Sequence, residues 1–170
     1  MKREMNNHLK EILTALARGG VKFVVCGGVA VVLHGVERMT LDLDISMEMS
    51  GDNLAKLLKV MKKQGMIPRV PVPAEALLDP EMRRSMIEEK NALVFTFIDP
   101  DNPYRQLDLF LGDEHAYDAL SRDSEKVLLE GMEIPVISID RLIEMKRRID
   151  PPREKDISDI LHLERRKDRP

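Results

Sequence analysis

Tryptophan is absent from this 170-residue chain, tyrosine occurs twice and phenylalanine four times. So few aromatic rings argue against a stacking platform for single-stranded nucleic acid. The one cysteine, Cys26, excludes an internal disulfide and fits a reducing compartment. None of the four histidines stands at metal-ligand spacing from it, so a zinc site has no support. No apolar run approaches the roughly 20 residues that span a bilayer. The charged start Met1-Lys2-Arg3-Glu4 is not followed by a signal-peptide core. A cytoplasmic protein without a membrane partner is expected. An excess of one charge is also missing: 27 basic against 30 acidic side chains leave a net −3. That balance gives no general drive toward nucleic acid or an anionic membrane.

Hydrophobic residues make up 43% of the chain and charged residues 34%, enough for a buried core under a solvated surface. The eleven methionines read as adaptable core filler. The length suits one domain over 1–170, with an N-terminal helix within 3–18, a core over about 21–137 and C-terminal helices over 138–167.

Periodicity and turn residues outline the elements. Leu9, Ile12, Leu13 and Leu16 repeat at helical spacing between Asn6 and Arg18, and Gly19-Gly20 stops them. Val21 to Cys26 reads as a buried strand, broken by Gly27-Gly28 and followed by a short apolar helix to His34. From Leu41 to Ser46 the pattern alternates, predicting a half-buried strand with Leu41, Leu43 and Ile45 on the core face. A helix is expected over 52–64, then a proline-rich extended connection over 67–73, then a polar stretch over 74–90 that is helical in part. Strands over 92–98 and 106–111 flank the turn Asp99-Pro100-Asp101-Asn102-Pro103 and should pair antiparallel. A short helix over 113–122 and a hairpin around Gly131 follow. Ser138 can cap a helix over 139–149. A last helix over 154–166 should bury Ile157, Ile160 and Leu161. The expected class is α+β: a mixed sheet flanked by helices.

Three features carry chemistry. Gly27-Gly28 at a strand-to-helix junction lets backbone approach a phosphate, although such pairs are also ordinary tight turns. Asp42-Leu43-Asp44 places both carboxylates on one strand face, where they repel unless a cation intervenes. Oxygen-only ligands suit Mg²⁺; the plain alternative is a solvated edge strand. Asp108 lies inside the apolar run Gln106-Leu107-Asp108-Leu109-Phe110, where an acid needs either a metal or a basic partner.

This combination resembles the nucleotidyltransferase superfamily that includes DNA polymerase beta. The segments Val24-Val25-Cys26-Gly27-Gly28-Val29-Ala30 and Arg38-x-Thr40-x-Asp42-Leu43-Asp44-Ile45 are similar to the AbiEii-type toxins and antibiotic nucleotidyltransferases. So are Ile139 to Lys146 and Arg153-x-Lys155-Asp156-x-x-Asp159. The likeness spans roughly 21–163, with a poorly matched middle over 65–90. It implies a nucleotidyltransferase fold and transfer of an NMP from an NTP to an acceptor that is a small molecule, a protein side chain or an RNA end, with Asp42, Asp44 and Asp108 as catalytic and metal-binding acids in a two-metal Mg²⁺ site. It also implies that Gly27 and Gly28 line the triphosphate.

Arg38 and Thr40 are candidates for phosphate contact, or merely loop residues that orient Asp42. Lys146 is a candidate for steadying the triphosphate, or a solvated lysine. Lys155, Asp156 and Asp159 suit a structural role in docking the last helix, and His34 a core or cap role. Many superfamily members carry Gly-Ser where this chain has Gly27-Gly28; Gly-Gly occurs in the AbiEii-like branch. Set against larger relatives, which form the acceptor site with an extra C-terminal helical domain, a chain without such a domain is expected. A second copy in a homodimer, or a partner protein, would then hold the acceptor. Alternative roles are a toxin–antitoxin component acting mainly by partner binding, and a nucleotide-binding domain without turnover.

Overall fold

The computed structural model describes residues 7–112 and 116–169. The charged N-terminus, residues 3–6 of the expected first helix and the expected helix start at Asp113 lie outside these residues. Helix α1 (Asn7–Arg18) buries Leu9, Ile12, Leu13 and Leu16, the residues its periodicity singled out. Strand β1 (Phe23–Cys26) is buried along its whole length and runs directly into α2 (Gly27–Leu33). Strand β2 (Asp42–Met47) returns antiparallel to β1, in register from Phe23 opposite Met47 to Cys26 opposite Asp44.

Helix α3 (Gly51–Lys63) is capped by Ser50, whose side chain accepts from the Asn53 backbone N–H. The buried Asn53 side chain clasps both polar backbone groups of Lys22 and the carbonyl of Glu48, tying α3 to the ends of β1 and β2. The connection expected to be merely extended contains a two-residue edge strand, β3 (Ile67–Pro68). A 3-10 turn (Ala74–Leu78) and α4 (Pro80–Glu88) occupy the polar stretch. Asp79 caps α4 and Pro80 opens it, where its missing N–H costs nothing. Strands β4 (Val94–Asp99) and β5 (Asn102–Phe110) form the expected antiparallel pair, with β5 starting earlier than its apolar core suggested. After α5 (Tyr117–Arg122), β6 (Ser124–Leu129) and β7 (Met132–Ile137) form a hairpin. Its turn, Glu130-Gly131, has φ of 49° and 80°, a pairing that matches the natural strand twist. Helices α6 (Ile139–Arg147) and α7 (Glu154–Lys167) close the chain, α6 capped by Ser138 as expected.

The seven strands form one mixed sheet in the order β3-β4-β5-β2-β1-β7-β6. Strand β2 is parallel to β5, and β1 is parallel to β7. Register sorts the side chains. Ile45, Leu109 and Phe95 align across β2, β5 and β4, as do Leu43, Leu107 and Phe97, and all six are buried. The Phe95 and Phe97 rings lie 5.2 Å apart, centroid to centroid. The row between them, Asp44, Asp108 and Thr96, faces the opposite side and is polar.

Two expectations fail at the edges of elements. Leu41 is exposed, because β2 begins only at Asp42. On α7 the buried residues are Asp156, Asp159 and Leu163, whereas Ile157 and Leu161 are about half exposed at 49% and 50%. The helix is rotated toward its acids because a buried lysine on α6 receives them.

Candidate active site

The parallel register of β2 and β5 sets Asp44 opposite Asp108 and Asp42 opposite Gln106. Side chains of directly paired residues share a face, so Asp42, Asp44, Gln106 and Asp108 all project from one side of the sheet. The pairing of β4 with β5 adds Thr96 opposite Asp108, and that of β1 with β2 adds Cys26 opposite Asp44.

Gly27 and Gly28 are required here for different reasons. Gly27 has a φ of +61°, a left-handed conformation that costs any residue with a side chain. A Cβ built on it would also collide with the Asp44 carboxylate, with Cγ at 2.9 Å. Gly28 has ordinary torsions, but a Cβ there would stand 2.7 Å from Oγ1 of Thr40 and 3.4 Å from the Arg38 guanidinium carbon. The two glycines thus make room for Asp44, Thr40 and Arg38 against the start of α2. Five of the eight candidate residues, Gly27, Gly28, Arg38, Thr40 and Asp44, therefore meet around one strand-to-helix junction; Asp42 shares the strand face of Asp44 two residues before it, and Asp108 stands opposite Asp44 on β5.

Burial pushes the Asp44 carboxyl up to about 7, and the negative charges of Asp108 and Asp42 push the same way. Lys146 and Lys155 act in the opposite sense and do not cancel this. The neighbouring Cys26 thiol is also pushed strongly up, first by burial and then by Asp44. Asp108 has neutral partners. Thr96 Oγ1 donates to its Oδ1 at 2.6 Å, and Gln106 Nε2 lies 3.2 and 3.3 Å from its two oxygens. Among the described residues no basic group lies within ion-pair distance of Asp108, which removes the salt bridge that was the plain alternative for it.

Lys146 is not solvated. Its side chain is 8% exposed and lies 3.0 Å from carboxylate oxygens of both Asp156 and Asp159. Arg153 also reaches Asp156, at 2.5 Å, and Arg38 pairs with Asp159. Burial opposes the charge on Asp156, but hydrogen bonds from Arg153 and Lys146 together hold its carboxyl below the usual range. This cluster joins α7 to α6 and the Arg38 loop to α7, in line with the structural role expected for Asp156 and Asp159. Lys155 in the same motif is exposed. His34 is a core residue: its Nε2 lies 2.6 Å from the carbonyl oxygen of Ile137.

The donor set suits a hard divalent cation: it is oxygen only and carries clustered negative charge. Among the described residues no group of three or more ligand-type side chains forms a ready cage. Phosphate oxygens or water would have to complete the coordination.

A family model described as "Nucleotidyl transferase AbiEii toxin, Type IV TA system" matches residues 11–169. The chain belongs to the AbiEii nucleotidyltransferase family. Solved structures share the fold. The lincosamide antibiotic adenylyltransferase LnuA, bound to lincomycin, superposes with a TM-score of 0.63 at 19% identity, covering 94% of this chain and 96% of that one. The ANT(2")-Ia complex with adenylyl-2"-tobramycin gives 0.58 at 15% identity, over 91% and 84%. A nucleotidyltransferase-like protein of Paracoccidioides brasiliensis gives 0.58 at 15%, over 93% and 76%. At these identities the likeness is one of fold. No curated protein sequence matches the chain. Among the described residues no helix is long and apolar enough to cross a membrane.

Sequence reasoning missed three residues that surround the candidate acid Asp108. Thr96 and Gln106 touch Asp108, and Arg69 touches Gln106. A signal was present: Thr96 is the one polar residue between Phe95 and Phe97, and Gln106 stands two residues from Asp108, on the same strand face.

Proposed function

We propose that this protein transfers a nucleoside monophosphate from an NTP to an acceptor, using Mg²⁺ held by Asp42, Asp44 and Asp108. The observation that carries the reading is the register that aligns Asp44 with Asp108, beside a glycine turn too tight for any side chain. Bound Mg²⁺ would neutralise the phosphates and stabilise the attacking and leaving oxygens. An acceptor oxygen bonds to the α-phosphorus in line with the bond to the β-phosphate, which breaks, and pyrophosphate leaves. Gly27 and Gly28 line the triphosphate, with Arg38 and Thr40 beside them. Lys146, fixed by its two aspartates, supplies positive charge behind the phosphates. Asp108 accepts the acceptor's proton or holds the second cation. LnuA and ANT(2")-Ia act on antibiotics, whereas the AbiEii family is one of toxins, so an antitoxin partner and a cellular acceptor are the favoured context.

The test is ligand-induced stabilisation. A ligand at 100 times its Kd adds about 2.7 kcal/mol to folding stability, a rise of several degrees in Tm for a chain of this size. One Mg-NTP should produce that rise, EDTA should abolish it, and Asp108→Asn should lose it while keeping its metal-free Tm. No rise with any of the four NTPs at millimolar concentration would sink the proposal.

A further inference from the structure

Asp108 sits at the head of a chain of hydrogen bonds that no motif records. Thr96 stands directly across the β4–β5 ladder and donates to Oδ1 at 2.6 Å. Gln106 Nε2 lies 3.2 Å from Oδ1 and 3.3 Å from Oδ2. Behind Gln106, the Arg69 guanidinium donates to Oε1 of the same amide. Arginine has donors only, so it fixes which end of the buried amide faces which neighbour: the carbonyl faces Arg69 and the NH₂ faces Asp108. A guanidinium placed directly on Asp108 would neutralise it and compete with a metal ion. The neutral amide and hydroxyl instead fix the carboxylate without cancelling its charge. Oδ1 takes the short bond, which leaves Oδ2 as the oxygen with more free acceptor capacity.

We infer that Thr96 and Gln106, the latter oriented by Arg69, are positioning residues that hold the Asp108 carboxylate in the pose in which it takes up a metal-bound triphosphate. The inference rests on the proposed function and adds to it a second layer of residues from β4, β5 and the segment after β3. Each acts through Asp108 and need not touch substrate.

The experiment measures uptake of Mn²⁺ and nucleotide by the full chain in equilibrium dialysis with each NTP, as the excess on the protein side over a protein-free control, alongside metal-free urea unfolding. Thr96→Val keeps the shape and removes the donor; Thr96→Ser keeps the donor. Thr96→Val should weaken nucleotide-dependent Mn²⁺ binding by about ten-fold or more, the scale of one hydrogen bond to a charged group. Thr96→Ser should retain wild-type binding. Arg69→Ala should weaken binding in the wild-type background and have no further effect in a Gln106→Met background, because it acts through that amide. The inference is overturned if folded Thr96→Val binds as the wild type does, if Thr96→Ser binds as poorly as Thr96→Val, or if Arg69→Ala costs the same in both backgrounds. If the wild type itself takes up no Mn²⁺ with any NTP, the proposed function falls and this inference falls with it.

Discussion

Removing the negative charge of Asp44 should stabilise the metal-free protein, and should do so only above a definite pH. An aspartate in the unfolded chain titrates near 3.8, whereas burial and the charges of Asp108 and Asp42 push Asp44 up to about 7 in the fold. Between those values the folded chain holds a proton that the unfolded chain has released. Raising the pH through this window strips that proton and weakens folding, and the loss is complete above about 7. The interval from 3.8 to about 7, at about 1.4 kcal/mol per pH unit, bounds the effect at about 4 kcal/mol. Asp44→Asn keeps the shape and carries no charge at any of these pH values. In EDTA, urea unfolding at pH 4 should find the variant and wild type nearly equally stable. By pH 8 the variant should be the more stable by up to that bound, and it should bind Mg-NTP poorly. A variant less stable than wild type at pH 8 would refute the clustered-charge picture and make Asp44 a structural acid.

Lys146 should behave in the opposite manner. Lys146→Met leaves the buried Asp156 and Asp159 with their arginine partners alone. Breaking a buried pair costs roughly 3–5 kcal/mol, so urea unfolding of this variant should show about 3 kcal/mol or more of lost stability. A loss below about 1 kcal/mol would mean that the cluster is not what docks α7. Gly27→Ala should lose more than about 1 kcal/mol from its left-handed backbone. Because its methyl also meets the Asp44 carboxylate, nucleotide-dependent metal binding should fall with it. Retained binding, by calorimetry, would show that the turn can move aside.

Most of the fold was legible because its elements have strong local causes. The α1 stripe, the alternation in β2, the Asp99–Pro103 turn and the Ser138 cap each act within a few residues. The alignment of Asp44 with Asp108 was suggested by resemblance but is fixed only by the parallel pairing of β2 with β5, a long-range contact. The phase of α7 was misread for a related reason. Ile157, Ile160 and Leu161 outweigh Asp156 and Asp159 on any hydropathy count, yet a buried lysine from another helix draws in the acids and leaves Ile157 and Leu161 outside. The Thr96–Asp108–Gln106–Arg69 chain joins three separate segments. The local signal of Thr96 and Gln106, polar residues in apolar strands, says nothing of which partner they meet across the sheet.

Nucleotidyl transfer is tested most directly by following the two ends of the triphosphate. The protein would be incubated with Mg²⁺, fractionated cell extract and each NTP in turn, labelled at either the α- or the γ-phosphate. The α-label should appear on an acceptor and the γ-label in released pyrophosphate, and both signals should vanish with Asp42→Asn. Transfer of the γ-label to an acceptor, with the α-label retained in a nucleoside diphosphate, would contradict the account.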